Sequence, residues 1–368
     1  MKNIRCIRKF AALLLVFTVA AGTMAGCGKD KNNTDNLQQG TSGNPQQTQQ
    51  GEETTSQTVS HDNEERSLIT GKWVPKDTVN NVPVAVMYSN IKDAMPQSSI
   101  SYADIVMESL VEGGITRLCA IFENKPDLVK IGPVRSCRLY YLTFAKEFEA
   151  AYVHFGYSDI AEKYLKMPKM HAIDGMTSSG FYRSTDRVAP HNAYTSWSAI
   201  MENVASKGYP ETYPDGYKPP LKFNTDDDNE IDFSTSPIAL PANKVVPGYP
   251  YNKPWFEYNE SEKLYYRYQF GGAQVDKETG EQLAFKNILI KFVEGEYIDG
   301  TPAYLESDAG MGYYITNGYA VPITWWKLDE TGQGHYYDAA GEELTINQGK
   351  TFICYVEEQF VGNISIAP

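Results

Sequence analysis

The chain has 368 residues, and its 46 acidic and 33 basic residues give a formal net charge of −13 at pH 7. This acidic balance excludes nucleic acid and broad docking on anionic lipid, so any anion site must be a local basic cluster. The five cysteines show no Cys-x-x-Cys pair and no metal-ligand spacing, which argues against a disulfide framework and a cysteine-ligated metal.

The first 26 residues predict an export signal. A basic start is followed by the apolar run from Phe10 to Ala21, which is too short to span a bilayer stably. Small residues then lead to Cys27, as in a bacterial lipoprotein signal, where the thiol receives a diacylglycerol. We therefore predict a signal peptide at residues 1–26 and lipidation at Cys27, with palmitate-type chains holding the protein on the extracytoplasmic face of the cell membrane. The alternative is an ordinary secretory signal with a chance cysteine.

Residues 27–66 are predicted to comprise the acylated cysteine and a disordered polar tether. The segment is rich in Gln, Asn, Thr, Ser and Gly and has almost no apolar residues, so it cannot bury a core. Removing the signal leaves 29 basic and 46 acidic residues and shifts the net charge from −13 to −17. Roughly 300 residues remain, which is long for one core and predicts two domains.

Residues 67–207 predict an N-terminal α/β domain with a mixed sheet. Its apolar runs predict strands at residues 82–88, 103–108, 115–122, 129–131 and 151–155. Apolar residues at helical spacing predict helices over residues 137–149 and 160–165.

A Pro- and Asp-rich bridge at residues 208–230 separates this domain from residues 231–368. The second region predicts a smaller, mostly antiparallel β domain, so the expected fold class is α+β. Its aromatic-rich strands are predicted at residues 255–258, 264–268, 287–292, 312–315, 323–326 and 351–356. Its aromatic residues predict either a small β core or a stacking surface for sugar rings, and they are Trp255, Tyr265, Tyr266, Tyr313, Trp325 and Trp326.

Several motifs are specific enough to indicate a family. In the first half they are ADIV at 103–106 with Glu108, VEGGITR at 111–117, IGPVRS at 131–136 with Arg138, FYR at 181–183 and APHN at 189–192. In the second half they are Tyr266-Arg267, Asn287-Ile288, Gly312 and Trp325-Trp326-Lys327. With these motifs the chain resembles the YerB-like lipoproteins of Gram-positive bacteria over nearly all of its length after the tether. The resemblance implies two domains and an extracytoplasmic lipoprotein, and it implies no particular activity.

A second similarity covers a shorter stretch. The order of a strand with Ala-Asp, a turn, a strand and then GPVRSxR is similar to the core of LytR–CpsA–Psr proteins, which transfer glycopolymers to the cell wall. In those enzymes a strand Asp and nearby arginines grip a polyprenyl-phosphate head group. The similarity implies such roles for Asp104, Arg135 and Arg138. The chain departs from that family because it lacks the usual Ser-x-Pro-Arg-Asp form.

Arg135 and Arg138 are the leading candidates for a ligand site. Two guanidinium groups three residues apart at the start of a predicted helix can point toward one phosphate or carboxylate. The free N–H groups of the first helical turn would add to the same field, and Ser136 could cap the helix or donate to the anion. The alternative is that both arginines pair with carboxylates of the same domain, namely Asp104, Glu108 or Glu112.

Asp104 and Glu108 are an even number of residues apart on a predicted strand, so they are expected on the same face. Such a pair could hold Mg²⁺ through oxygen ligands, or one carboxylate could act as a general base. The alternative, which we favour, is that they are ion-pair partners of the arginines. No dedicated metal site is predicted.

His191 lies in the polar motif APHN, and its ordinary pKa suits proton transfer near neutral pH. Asn192 could orient the ring, and Arg183 is close in sequence, so all three are predicted ligand-binding residues, with His191 also a candidate catalytic base. The alternative is a structural hydrogen bond within the loop. Cys137, between the two arginines, could act as a nucleophile with His191, although a small half-buried residue is the favoured interpretation.

Three functions follow from these residues. The leading hypothesis is an envelope protein that binds an anionic ligand, a phosphorylated or glycan precursor of the wall, through Arg135, Arg138 and His191. The second is an enzyme of the glycopolymer-transfer or phosphodiester type that uses the same residues with Asp104 and a divalent ion. The third is a non-catalytic accessory protein that binds another envelope protein. The sequence leaves open whether the protein is an enzyme.

Overall fold

The computed structural model describes residues 60–298, 301–302, 309–329 and 331–368. The predicted signal peptide, Cys27 and the predicted tether up to residue 59 lie outside the described residues. No helix within the described ranges is long and apolar enough to cross a membrane.

Short buried strands dominate the first half of the chain. The strands there are β1 (Glu64–Arg66), β2 (Trp73–Pro75), β3 (Val84–Ser89), β4 (Ile105–Leu110), β5 (Thr116–Phe122), β6 (Ala151–His154), β7 (Ala172–Asp174), β8 (Tyr182–Arg183) and β9 (Ala193–Tyr194). The helices are α1 (Leu139–Glu147), α2 (Asp159–Leu165) and α3 (Trp197–Ser206). Strands β3, β4 and β5 are buried along their whole length, which explains their near-continuous apolar sequences.

The predicted strands at 82–88, 103–108, 115–122 and 151–155 are confirmed, with shifted ends. The predicted strand at 129–131 is wrong. Ile131 forms a single bridge with Thr195, and Val129 is 79% exposed. The chain turns at once through Gly132 and Pro133, and proline has no N–H to extend a ladder.

Helix α1 begins at Leu139, two residues later than predicted. The preceding residues are held extended between two neighbouring segments, because Arg135 N–H donates to Met87 O and Cys137 N–H donates to Gly156 O, each at 2.9 Å. The predicted capping role of Ser136 is therefore wrong, since Arg138 occupies the N-cap position.

The second half is a succession of β-strands. They are β10 (Lys222–Phe223), β11 (Leu240–Pro241), β12 (Lys244–Val246), β13 (Trp255–Asn259), β14 (Leu264–Gln269), β15 (Gly272–Ala273), β16 (Ala284–Phe285), β17 (Asn287–Val293), β18 (Tyr297–Ile298), β19 (Thr301–Pro302), β20 (Ala309–Thr316), β21 (Tyr319–Lys327), β22 (Gly334–Tyr337), β23 (Thr345–Ile346), β24 (Thr351–Glu357) and β25 (Ser365–Ala367). Each of the six strands predicted in this half is confirmed.

One large mixed sheet contains strands from both halves, in the order β11-β21-β20-β17-β24-β4-β5-β3-β6-β7, with β22 paired to β21. Strand β24 pairs in parallel with both β17 and β4, so the sheet is continuous across the predicted domain boundary. A second sheet, β15-β14-β13-β12-β25 with β16 on β14, is antiparallel. The fold is thus mostly β with few helices, and α+β describes it only loosely.

The ordered fold begins earlier than predicted, and Asn63–Pro368 forms one compact unit. Residues Glu64–Arg66, assigned above to the tether, pair with β2. Arg66 is fixed by an ion pair of 2.7 Å with Asp227 and by the ring of Trp73, 4.2 Å from its guanidinium carbon. These contacts order the end of the predicted tether.

A buried polar network joins the two halves. Glu108 Oε2 on β4 accepts from Arg267 Nη2 on β14 at 2.6 Å, and both side chains are 0% exposed. The other carboxylate oxygen, Oε1, accepts from Asn90 at 3.0 Å and from Thr116 and Asn252 at 2.7 Å. Glu108 is therefore a structural link between the halves and is closed to solvent.

Candidate functional site

Four arginines gather where β3 and β4 end and β5 begins. The arginine cluster consists of Arg117, Arg135, Arg138 and Arg183. Arg117 is the second residue of β5 and lies opposite Ser89, the last residue of β3. Arg135 and Arg138 precede α1, and Arg183 lies on β8. The charges of Arg138 and Arg183 both lower the pKa of Arg135.

Arg138 is held by Glu112 in the turn after β4. Its Nε and Nη2 donate to the two carboxylate oxygens at 2.6 and 2.7 Å, and its Nη1 donates to Cys137 O at 2.7 Å. Burial alone would raise the pKa of Glu112, but the hydrogen bonds and charge of Arg138 outweigh it and the pKa is lowered. For Arg138 the alternative prediction applies, because this arginine forms an ion pair with Glu112 of the same domain.

Arg117 is the buried member of the cluster. It is 5% exposed, and its Nη1 donates to Ser136 O at 2.5 Å. Within the described part of the chain it forms no ion pair. Burial, then the charges of Arg138 and Arg135, lower its pKa from 12.5 to about 10, and the nearby Glu112 carboxylate acts in the opposite direction. A buried guanidinium among like charges is destabilising unless an anion joins it.

Arg135 is half-buried and donates from Nη1 to Pro190 O at 3.0 Å. Burial, then the charges of Arg138 and Arg183, lower its pKa. Among the residues that the structure describes, it has no carboxylate partner. The half-buried hydroxyl of Ser136 forms no hydrogen bond with the described residues.

The loop from β8 to β9 supplies the remaining predicted residues. Arg183 Nη1 donates to Asn192 Oδ1 at 2.8 Å, and its guanidinium carbon lies 4.9 Å from the ring centre of Phe155. The amide of Asn192 donates to Ser184 O and Arg187 O. Asn192 therefore positions Arg183 and the loop, and the predicted orientation of His191 by Asn192 is wrong.

His191 is oriented by Ser89 at the end of β3, with 3.1 Å between its Nδ1 and Ser89 Oγ. Burial and the neighbouring charge of Arg135 lower its pKa. The lowered pKa favours the neutral imidazole, and an anion that offsets the surrounding positive charge would favour its protonation.

Two arginines were missed as site residues in the sequence. Arg117 interrupts the apolar strand sequence ITRLCAIF, and a charge inside a buried strand was the available signal. Arg187 donates to Ala94 O and Pro96 O, and it thereby ties the β8–β9 loop to the segment after β3. No local sequence pattern indicated these hydrogen bonds, because the acceptors are more than 90 residues away from Arg187.

Asp104 does not join the arginine cluster. It lies before β4 and accepts from Glu123 N–H at 2.8 Å and from Lys125 Nζ at 3.3 Å, whereas Glu112 follows the other end of the strand. Eight residues of largely extended chain separate the two carboxylates by more than about 20 Å. The face shared by Asp104 and Glu108 thus creates no common site. Within the described residues, no group of three or more His, Cys, Asp or Glu residues is arranged as metal ligands.

The carboxyl of Glu123, next to Asp104, predicts a pH dependence of stability. Burial, together with the charge of Asp104, raises its pKa from 4.5 to about 7. Because the folded pKa is raised, the contribution of Glu123 to stability is complete below about pH 4.5 and is lost as the pH rises through about 7. We therefore compare the free energy of unfolding of Glu123→Gln with that of wild type by urea unfolding at about pH 5 and pH 8. The difference should shift in favour of the variant by up to about 3 kcal/mol between the two pH values. A stability difference that stays constant with pH would contradict the assignment.

Cys137 is not an activated thiol. It is 0% exposed, and its Sγ lies 3.5 Å from Arg138 O. Burial raises its pKa to about 12 despite the nearby arginines, because desolvation of the thiolate outweighs their attraction. The nucleophile alternative therefore loses its physical basis.

The aromatic residues of the second half fill space more than they form a platform. Tyr265 and Trp325 are buried. Trp255 stacks on Tyr268 with ring centres 4.9 Å apart, and Lys244 lies 5.3 Å from the same indole. Tyr268 therefore covers one face of the Trp255 indole, whereas Trp326 is 37% exposed and stacks on His335.

The comparisons with known proteins agree with this structure. Residues 69–210 match the family described as "Protein of unknown function (DUF3048) N-terminal domain", and residues 245–353 match its C-terminal domain. A protein of Bacillus subtilis (strain 168) named "Putative lipoprotein YerB" is 32% identical over 310 residues, which are 82% of this chain and 88% of that protein. The crystal structure of YerB protein from Bacillus subtilis matches with a TM-score of 0.72 at 30% identity, covering 83% of this chain and 100% of that chain.

Proposed function

Because this chain belongs to the DUF3048 family of proteins of unknown function, we propose its role from its own geometry. It is a lipid-anchored envelope protein that binds a phosphate-bearing ligand at the arginine cluster. The resemblance to the YerB-like lipoproteins is confirmed. The name of the Bacillus relative and the lipoprotein-type signal that precedes Cys27 support the anchor.

The observation that carries the proposal is uncompensated positive charge. Of the four guanidinium groups, only that of Arg138 has an ion-pair partner among the described residues, which is Glu112. Arg117 is buried although it has no ion-pair partner among the described residues. The chain as a whole is acidic, so carboxylates are abundant elsewhere. A doubly charged phosphate would accept hydrogen bonds from the free donors of Arg135 and Arg183 and from Ser136, and it would offset the charge of Arg117.

The experiment uses the folded unit Asn63–Pro368, because a relative's whole crystallised chain corresponds to 83% of this chain. Inorganic phosphate, diphosphate and N-acetylglucosamine 1-phosphate are compared with unphosphorylated N-acetylglucosamine. A ligand that binds the native state raises the melting temperature. We expect a rise with the phosphorylated probes alone, and it should shrink as salt increases.

The variant Arg135→Gln/Arg183→Gln should lose the shift, whereas Lys207→Ala, an exposed cation at the end of α3, should keep it. Equal shifts in the double variant and in wild type would refute the site. A shift with the neutral sugar alone would assign the ligand to the glycan class instead.

Glu112→Gln should strengthen anion binding. The substitution removes the carboxylate that occupies Arg138, so the guanidinium becomes available to the ligand. Glu112 is about one-third exposed, and such ion pairs contribute at most about 1 kcal/mol to stability. We expect diphosphate affinity to rise about tenfold with a small loss of stability. Calorimetric titration checks this, and a weaker affinity would show that Glu112 holds Arg138 in its binding position.

A further inference from the structure

A second cleft lies apart from the arginine cluster, none of whose members lines it. Its volume is about 700 Å³, within the roughly 300–1,000 Å³ of small-molecule sites. All the residues that line the cleft have polar side chains except Leu264, Ala284 and Gly349. The cleft therefore suits a polar ligand.

Positive and negative side chains are intermixed in the cleft. Glu230 pairs with Lys286 at 2.8 Å and with Lys263 at 3.0 Å. Asp227 pairs with Arg66 at 2.7 Å. These carboxylates are thus neutralised by neighbours within the protein.

The five carboxylates of the cleft are balanced by five cations. The carboxylates are those of Asp226, Asp227, Glu230, Glu262 and Glu281. The cations are three lysines of the cleft, Lys72, Lys286 and Lys350, and the two outer partners of the pairs above, Arg66 and Lys263. Because the signs are interspersed and balanced, the cleft favours a neutral ligand over an ion.

Most of the unused hydrogen-bonding groups of the cleft are acceptors. Gln282 Nε2 donates to Arg267 O at 2.8 Å, and Gln348 Nε2 donates to Asp227 Oδ1 at 3.2 Å. These bonds fix both amides, and neither amide oxygen accepts a hydrogen bond from the residues that the structure describes. The exposed carboxylate of Glu281 accepts none from them either. A neutral ligand that fits must supply several donors, as hydroxyl groups do.

Tyr266 adds an aromatic ring to the cleft. Leu264 and Tyr266 are half-buried alternate residues of β14, so both lie on one face of the strand, and both line the cleft. The Tyr266 hydroxyl donates to Glu262, which orients the ring. The residue directly opposite Tyr266 is Ala284, whose small side chain leaves space beside the ring. The C–H groups of a sugar ring pack on an aromatic face of this kind.

We propose that this cleft binds a neutral oligosaccharide. One sugar ring packs against Tyr266, and hydroxyl groups donate to Gln282, Gln348 and Glu281. The exposed ammonium of Lys72, which has no ion-pair partner among the described residues, donates to a further hydroxyl. This site is independent of the arginine cluster and of the phosphate-bearing ligand proposed there.

The separation of the two amides sets the length of the ligand. A Cβ atom at Gly349, the residue after Gln348, would lie 2.9 Å from Lys286 Cβ, and Gln282 precedes Lys286 by four residues. The amides are therefore on the order of 10 Å apart along the strand direction. A single ring reaches only part of this span, so N-acetylglucosamine alone should bind too weakly to raise the melting temperature.

The test titrates the folded unit Asn63–Pro368 with maltotriose and with N,N′,N″-triacetylchitotriose up to about 10 mM, followed by heteronuclear NMR. Trigalacturonate is the anionic probe. We expect saturable shifts with a neutral trimer and about tenfold or greater weakening with trigalacturonate, because its carboxylates would face acceptors that cannot pair with them. No saturable shift with either neutral trimer, or an equal affinity for trigalacturonate, would overturn the proposal.

The variant Tyr266→Ala should weaken trimer binding about tenfold, whereas Tyr266→Phe, which keeps the ring, should change it less than about threefold. Tyr251→Ala, at an exposed tyrosine outside the cleft, should bind as wild type does. If Tyr266→Ala does not fold, Gln282→Met/Gln348→Met should still weaken binding about tenfold. Unchanged affinity in these cleft variants would also overturn the proposal. Diphosphate binding at the arginine cluster should be unaffected by all of them, so failure here is distinguishable from failure of the proposed function.

Discussion

Replacing Arg267 by methionine is expected to lower the free energy of unfolding by about 3–5 kcal/mol. Arg267 and Glu108 form an ion pair of 2.6 Å in which both side chains are 0% exposed. Removing the guanidinium leaves the Glu108 carboxylate buried without its counter-charge, and desolvation of an unpaired charge is costly. The effect should be large because β4 and β14, which carry the two residues, belong to different sheets and different halves of the chain.

A double variant separates the charge effect from lost packing. Glu108→Gln/Arg267→Met removes both charges and leaves an amide that can still accept from Asn90, Thr116 and Asn252. It should be more stable than Arg267→Met alone, with a coupling of at least about 2 kcal/mol in urea unfolding. The exposed pair Lys244–Glu257 provides the control, since Lys244→Met should cost at most about 1 kcal/mol. A loss below 1 kcal/mol in Arg267→Met would contradict the structural role of the pair.

The buried pair also explains why part of the site prediction failed. Residue alternation predicted only that Asp104 and Glu108 lie on the same face of one strand region. Alternation says which face a residue occupies and nothing about what covers that face. Glu108 is covered by Arg267, which is 159 residues away, and no local pattern can predict such a partner.

The same limit applies to the fold. Strands β3, β4 and β5 were predictable because each is a mostly apolar run, although Glu108 and Arg117 interrupt β4 and β5. The position of β24 between β17 and β4 was not predictable. Parallel strands can pair although they are far apart in sequence, and the local residue pattern does not identify the partner. The predicted division at residues 208–230 therefore marks a change in composition, while the large sheet passes from one half to the other.

The arginine cluster was partly predictable because two of its members share one motif. Arg135 and Arg138 lie together in sequence, and His191 is brought beside Arg135 by the β8–β9 loop. The sequence did not indicate which of the arginines has a carboxylate partner. Glu112 is bound to Arg138, whereas Arg135 is left with a carbonyl, and this difference determines which arginine can serve a ligand.

Replacing Arg117 by methionine is expected to stabilise the protein while weakening anion binding. Its pKa is lowered from 12.5 to about 10 by burial and by Arg138 and Arg135, so the charged form is destabilised in the folded state at neutral pH. Methionine fills similar space without a charge and loses one hydrogen bond to Ser136 O. The balance should be a gain of roughly 1–3 kcal/mol in the free energy of unfolding. Diphosphate affinity should fall about tenfold, because one of the charges that the ligand offsets is gone.

This opposition between stability and binding distinguishes a functional arginine from a structural one. A structural arginine would be destabilising to remove, whereas a residue retained for a ligand commonly limits stability. Urea unfolding and diphosphate titration of Arg117→Met, each with and without ligand, therefore give a paired result. Greater stability with weaker binding would support an anion site around a strained charge. Lower stability with unchanged binding would mean that Arg117 supports the β3–β5 region through Ser136, and that the ligand contacts only Arg135 and Arg183.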